Sequence, residues 1–314
     1  MRILIGYDGS ECAKAALLDL RRAGLPSEAE VIVMAVADVF VPPPDDTEAD
    51  RTFPRYMPTS ISRAHEHAKQ EVAQALALAE AAMTQLATLF PHWEIHAESS
   101  ADSPAWALIK RADQWKPDLI IVGSHGHTAT GGRFILGSVS QRVLYEARTS
   151  VRVARGRMND EEMPLRIVVG MDGSPDSYAA VSAVAERSWP KGSEARLVVV
   201  LDTVMFLTPD PSAPETVKWF EVANQSDLNQ LGKTFKSAAD NLRKVGLSSS
   251  VILTTGNPKV AIVEEAESWN ADSIFVGAKG ARGIDRFLLG SVSAAVAARA
   301  HCSVEVVRRR SIVE

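Results

Sequence analysis

The sequence predicts an α/β protein made of two tandem copies of one doubly wound domain. Three observations predict it: an internal repeat, a regular alternation of strand and helix patterns, and strands that are apolar without interruption. The repeat is direct. Residues 3–10 read ILIGYDGS and residues 167–174 read IVVGMDGS; residues 118–126 read DLIIVGSHG and residues 272–280 read DSIFVGAKG. GSVS occurs at 137–140 and again at 290–293, and SVRVAR at 150–155 is echoed by SVEVVR at 303–308. Matched blocks in one order mark a duplicated unit. The offset between copies falls from 164 residues at Asp8 and Asp172 to 154 at Gly123 and Gly277. The first copy therefore carries about ten extra residues, placed in its Pro-rich stretch Val41–Pro58. The polar segment 156–164 reads as a short linker, so the domains are read as residues 1–156 and 164–314.

Each copy alternates strand and helix. In the first, Ile3–Tyr7 is a strand, Glu11–Ala23 a helix closed by Gly24 and Pro26, and Val31–Val36 a second strand. A helix rich in Ala, Leu, Glu and Gln runs over Ile61–Leu89, followed by a strand at Trp93–Ala97. Ser103–Trp115 is a helix leading to the strand Leu119–Val122; a Gly loop, a short helix from Val139 and a last strand at Val151–Ala154 complete the copy. Leu119–Val122 and Ile274–Val276 are continuous apolar runs, the pattern of strands covered on both faces. Alternation with such strands implies a mostly parallel sheet with right-handed crossovers.

Composition bounds the function. The 314 residues suffice for two cores, hydrophobic residues make up 46% and charged residues 23%, and the net charge of −5 argues against a nucleic-acid partner. The basic end Arg308–Arg310 is too short to argue for a nucleic acid or a membrane. No uninterrupted apolar run has the length of a membrane span, and the two cysteines, Cys12 and Cys302, fit a reducing, cytoplasmic compartment. Cys12 is expected to be a small buried residue, and Trp106, Trp115 and Trp269 to be core.

Chemistry is expected where an open parallel sheet reverses its winding, at the carboxyl ends of strands. The first strand of each copy leads into Asp8 or Asp172, and the fourth ends at Gly123 or Gly277. In the second copy Gly277 and Gly280 bracket two residues, nine residues follow, and Gly290-Ser291-Val292-Ser293 opens a helix. Glycines let backbone approach an anion, and a helix N-terminus presents unpaired amides and a partial positive charge. Ser291 or Ser293 would cap that helix or give a hydroxyl to phosphate, and Lys279, Arg282 and Arg286 would supply positive charge. Asp172 would accept hydrogen bonds from a ribose hydroxyl or a base amine; the alternative is that Asp8 and Asp172 are helix N-caps. His65 and His67, two apart on a helix, point away from each other, and His125 and His127 are read as solvated loop residues.

At these residues the chain resembles the universal stress protein family, whose ATP-binding members carry Gly, two residues, Gly, nine residues, Gly, then Ser or Thr. Gly277, Gly280, Gly290 and Ser291 match that spacing, and Asp172 matches the aspartate after the first strand. The resemblance implies a Rossmann-like, adenine-nucleotide α-hydrolase-like fold with a five-stranded sheet of order 3-2-1-4-5 in each domain. It also implies that the two domains pair through their last strands, with a homodimer of chains and an unidentified protein as further partners. By the same resemblance, ATP, ADP or AMP, with or without Mg2+, would lie on Asp172, Val200, Val276, Gly277, Lys279, Gly280, Gly290, Ser291, Val292 and Ser293. The corresponding set in the first copy is Asp8, Val36, Val122, Gly123, His125, Gly126, Gly137, Ser138, Val139 and Ser140. There ten residues, not nine, separate Gly126 from Gly137, so more nucleotide is expected in the second site.

No nucleophile–base pair stands out and neither loop has a Walker ending, so no catalytic residue is assigned and ATP hydrolysis, if any, is expected to be slow. No second carboxylate is clearly placed to hold magnesium and no metal ligand is assigned; Asp38 and Asp202, just past the second strands, are the positions left open. The expected function is nucleotide-dependent regulation in a stress response. The alternatives are a dimerising interaction module with a vestigial first site, using Val41–Pro58 and Met205–Pro214 as partner loops, and, least favoured, an adenylyl-transferring enzyme.

Overall fold

The computed structural model of the protein describes residues 1–39, 59–126, 136–155, 163–201, 233, 235–280 and 289–309. The chain divides into two compact units, Met1–Arg21 with Pro26–Gly156, and Arg22–Leu25 with Arg157–Glu314.

In the first unit, β1 (Arg2–Gly6), β2 (Glu30–Ala37), β3 (Glu94–Ala101), β4 (Leu119–Gly123) and β5 (Ser150–Ala154) alternate with α1 (Glu11–Asp19), α2 (Thr59–Leu89), α3 (Pro104–Trp115) and α4 (Ser138–Glu146). All pairings are parallel, in the order β3-β2-β1-β4-β5. In the second, β6 (Arg166–Met171), β7 (Glu194–Leu201), β8 (Ser248–Thr255), β9 (Ser273–Gly277) and β10 (Ser303–Val307) pair in the equivalent order β8-β7-β6-β9-β10, again parallel. Its helices are α5 (Pro175–Ala185), α6 (residues 235–244), α7 (Pro258–Ser268) and α8 (Ser291–Arg299). Thus each unit has the doubly wound sheet and the 3-2-1-4-5 order expected of it.

The uninterrupted apolar strands are the sheet centres. Ile3, Leu4, Leu119, Ile120 and Ile121 are fully buried, as are Ile167, Val168, Val169, Ile274 and Phe275. Burying such side chains contributes about 1.5–3 kcal/mol each before chain entropy is counted. The helix α2 lies on β2 and β3 through Ala68, Ala75, Ala79, Ala82 and Leu86, all buried and spaced three, four or seven apart. Within it, Arg63–Leu89 has the length and composition of a membrane span, a feature that a search for uninterrupted apolar runs passes over. Its docking on the sheet through alanines is how a core-facing helix passes the same test.

At the edge where strands begin, the two units repeat one staple. The Arg2 and Arg166 amides donate to Asp118 Oδ2 and Asp272 Oδ2 at 2.9 and 2.8 Å. The Arg2 and Arg111 guanidinium groups lie over Trp115, and those of Arg166 and Arg196 over Trp269. Trp269 is buried as expected, whereas Trp106 is 47% exposed and Trp115 partly exposed. Helical spacing marks a stripe but does not say how far around the helix the core extends. Buried ion pairs join Arg152 with Asp19 (2.8 Å) in the first unit and Arg187 with Glu305 (2.5 Å) in the second.

The interval between second and third strands spans residues 38–93 in the first unit and 202–247 in the second, so the extra length of the first copy lies there. Its placement within Val41–Pro58, the linker at 156–162, the Met205–Pro214 segment and Asp202, His127, Arg282, Arg286 and Arg310 lie outside the described residues.

Candidate functional site

In each unit, β1 or β6 lies between a strand on one side that follows it and a strand on the other that comes later. Winding reverses there, between β1 and β4 and between β6 and β9. The carboxyl ends of these strands carry the residues singled out by the sequence.

Asp172 follows β6 and is exposed. Its Oδ1 accepts the Ser174 amide at 2.9 Å, and Asp8 does the same with the Ser10 amide at 3.0 Å. Neither aspartate is the helix N-cap. The caps are Ser174 and Ser10, whose hydroxyls accept the Ser177 and Ala13 amides at 3.1 and 3.2 Å. With one oxygen turned to the backbone, the other faces the Gly loop. A Cβ on Gly280 would lie 2.7 Å from Asp172 Oδ2, and one on Gly126 would lie 2.8 Å from Asp8 Oδ2. These glycines thus make room for a carboxylate, which brings the first strand's aspartate and the fourth strand's loop into one crevice.

The first glycine of each loop has a different job. A Cβ on Gly277 would meet the backbone of Asp176 and Ser177 at 2.5–2.7 Å. Gly277 is therefore needed for the close approach of β9 to α5, independently of any ligand. Gly123 has its nearest neighbours, in Cys12 and Ala13, at 3.4 Å. Cys12 is partly exposed, not buried as expected, because it lies in the first turn of α1 at the rim of the crevice.

The loops return to the helices that follow. The Gly290 amide donates to Ala278 O at 2.7 Å and the Gly137 amide to Ser124 O at 2.8 Å. Gly290 and Gly137 are the N-caps of α8 and α4, with extended backbone and no side-chain cap bond. Ser291 and Ser138 are first-turn residues and exposed, so Ser291 is not the cap. The Ser293 hydroxyl, expected to cap the helix or reach phosphate, is engaged within the fold. It donates to Gly277 O at 2.6 Å and reaches Ala278 O at 3.3 Å, and Ser140 donates to Gly123 O at 2.6 Å. These serines give strand-end carbonyls a hydroxyl donor. The first intrahelical bonds run from Ala294 to Gly290 O and from Gln141 to Gly137 O. The amides of residues 291–293 and 138–140 precede them, at the open end of each helix dipole.

Val36 and Val200, near the ends of β2 and β7, are partly exposed, and Val122 and Val276 are buried one residue before the loop glycines. Val139 and Val292 are partly exposed second residues of α4 and α8. Lys279 is partly exposed, and its carbonyl accepts the Ser174 hydroxyl at 3.2 Å, tying the loop to the cap of α5. His125 is not a freely solvated loop residue. Its Nδ1 is 3.1 Å from Ser124 Oγ, and burial, then the Arg155 charge, hold its pKa below the ordinary histidine value. Asp38 is exposed just past β2, and no group of three metal-ligand side chains occurs among the described residues.

Several site residues escaped the sequence reading. Asp176 in the first turn of α5 is buried and accepts Arg309 Nε at 2.6 Å. Beside it, burial pushes the Arg308 guanidinium down to about 10, with Asp176 opposing the shift. Arg308 and Arg155 stand at one repeated position, directly after the last strand, a signal present in SVEVVR and SVRVAR.

The sequence matches the universal stress protein family twice, over residues 1–155 and 163–308. The chain belongs to that family. A universal stress protein of Mycolicibacterium smegmatis is 28% identical over 312 residues, 98% of this chain and 97% of that one. One from Methanocaldococcus jannaschii is 29% identical over 151 residues, 48% of this chain and 86% of that one. The crystal structure of a universal stress protein from Archaeoglobus fulgidus shares the fold over 98% of both chains, with a TM-score of 0.58 and 22% identity.

Proposed function

We propose that this universal stress protein binds an adenine nucleotide in the crevice of its second unit, and regulates a partner through the bound or empty state of that crevice. The observation that carries the reading is the open N-terminus of α8. The neighbouring helix α5 is closed by the Ser174 side chain, whereas α8 begins at Gly290 with no side-chain cap and its first amides beside the Gly277–Gly280 loop. Such an end suits phosphate through its amides and its dipole. Lys279 adds charge, and Asp172 supplies an acceptor across the crevice for a ribose hydroxyl or base amine. Val200 and Val276 offer the apolar wall an adenine needs.

Hydrolysis would be slow. A nucleotidase needs a group to activate water, and the Ser174 and Ser293 hydroxyls beside the phosphate loop are committed to backbone carbonyls. A magnesium ion, where present, would be held mostly by the nucleotide's own phosphates and water.

Heat release of ligand from the purified chain, with identification by mass, tests the reading, followed by calorimetry with ATP. Bound adenine nucleotide, or ATP binding that is reduced in Gly280→Val, is expected. A nucleotide-free chain that gives no heat with millimolar ATP would overturn it and favour a nucleotide-independent interaction module.

A further inference from the structure

The two crevices differ at both residues between the first two glycines of their loops, and the second of these changes charge. Where the second unit reads Gly277-Ala278-Lys279-Gly280, the first reads Gly123-Ser124-His125-Gly126. A lysine carries a fixed charge near neutral pH and a histidine does not.

His125 is rooted at the open end of α4. A Cβ on Gly137, the N-cap, would lie 3.3 Å from the His125 Cα. The ring places Nδ1 at 3.1 Å from Ser124 Oγ, and its Nε2 is closed off from solvent with no hydrogen-bond partner among the described residues. The Arg155 charge acts on it, and Asp8 lies beside the next loop residue. Arg155 leaves β5 immediately after Ala154, the residue paired with Gly123, so it runs alongside Ser124. Asp8, at the end of β1, places Oδ2 against Gly126, the next residue in the loop. From α1 comes Cys12, at the position where the second unit has Asp176, the carboxylate that holds Arg309.

Burial and the Arg155 charge both resist a proton on the His125 ring. A phosphate placed on the α4 amides reverses that balance. It brings negative charge next to Arg155 and an acceptor for a second ring N–H, which the neutral imidazole lacks.

We propose that the first unit takes its phosphate ligand together with one proton on His125, whereas the second unit, with Lys279, takes the same ligand without one. The proton comes from solvent, adds to the ring nitrogen, and leaves when the ligand does. The inference rests on the nucleotide reading above. Linkage fixes its sign. Affinity of the first site rises as pH falls, by up to about tenfold per pH unit between the histidine's liganded and free pKa values, and levels off outside them.

The full chain carrying Gly280→Val, which silences the second crevice, is titrated with ATP in buffers of different ionisation enthalpy. The nucleotide's terminal phosphate titrates near pH 6, so the proton count is read against Gly280→Val/His125→Lys. The histidine-bearing chain should take up close to one proton more, and the His125→Lys chain should bind ATP with a flatter pH profile. In the native chain, NMR should find the His125 pKa below that of an ordinary histidine without nucleotide and raised by saturating ATP. Equal proton counts, an unmoved His125 pKa, or a Gly280→Val chain that binds nothing while the native chain binds would overturn the inference and leave the nucleotide reading standing. A native chain that binds no nucleotide would end both.

Discussion

Gly123 and Gly277 occupy the same place in the two repeats, yet alanine should be tolerated at one and not at the other. At Gly277 the new Cβ would sit 2.5 Å from the Asp176 carbonyl carbon, 2.6 Å from its oxygen and 2.7 Å from the Ser177 nitrogen. All three are backbone atoms at the start of α5, so relief needs β9 and α5 to move apart by about 1 Å, the gap to ordinary van der Waals contact. Overpacking of this kind costs about 1–3 kcal/mol, and the rigidity of the partner puts Gly277→Ala at the upper end. At Gly123 the nearest atoms lie at 3.4 Å, ordinary contact. Neither glycine needs positive φ, so alanine also removes unfolded-state freedom, a stabilisation of about 0.4–1 kcal/mol. Gly123→Ala should therefore fall within about 0.5 kcal/mol of the native chain. Two units need not unfold together, so the assay is hydrogen exchange read peptide by peptide. Gly277→Ala should lower protection across β9 and the start of α5; Gly123→Ala should leave β4 and α1 as they are. Equal effects in the two units would refute the claim that Gly277 is kept by helix packing and not by phosphate.

The other predictions follow from single contacts. Ser293→Ala removes the donor to Gly277 O and should cost the second unit about 1–3 kcal/mol in chemical denaturation, with Ser293→Thr retaining most of it. Arg152→Ala leaves Asp19 buried without its partner and should cost about 3–5 kcal/mol, whereas Arg152→Met/Asp19→Leu should cost far less. His125 has a depressed pKa when folded, so below the unfolded value near 6.5 the unfolded chain binds a proton that the native chain resists. Stability should therefore fall as pH drops below 6.5, and His125→Gln should flatten that slope in denaturation series run with and without ATP. Asp172→Ala should weaken ATP binding more than Asp8→Ala does, measured as total bound nucleotide, because the second crevice is expected to hold more of it.

Much of the fold was legible because its signals are local. The central strands announce themselves by apolar runs, the helices by spacing, and the duplication places the elements twice. Loop glycines and the aspartates after the first strands were legible for the same reason, since Gly-x-x-Gly, Gly-Ser-Val-Ser and Asp-Gly-Ser recur in both copies. What each polar atom does was less so. Ser293 and Ser140 look like phosphate ligands in one dimension, but they are 16 and 17 residues from the carbonyls they satisfy. Asp172 reads as a helix cap until Ser174 is seen to take that place.

By itself the sequence determined the duplication, the strand–helix alternation and the Gly-loop spacing, all of which depend on residues near one another in the chain. Only the tertiary structure decided which glycine faces a carboxylate and which faces a helix, that Trp106 is exposed, and that Arg152 buries its charge against Asp19, 133 residues away. The physical reason is that a hydrogen-bonding group or a missing Cβ is defined by its neighbour in space. In a parallel sheet, neighbouring strands are separated in sequence by whole helices.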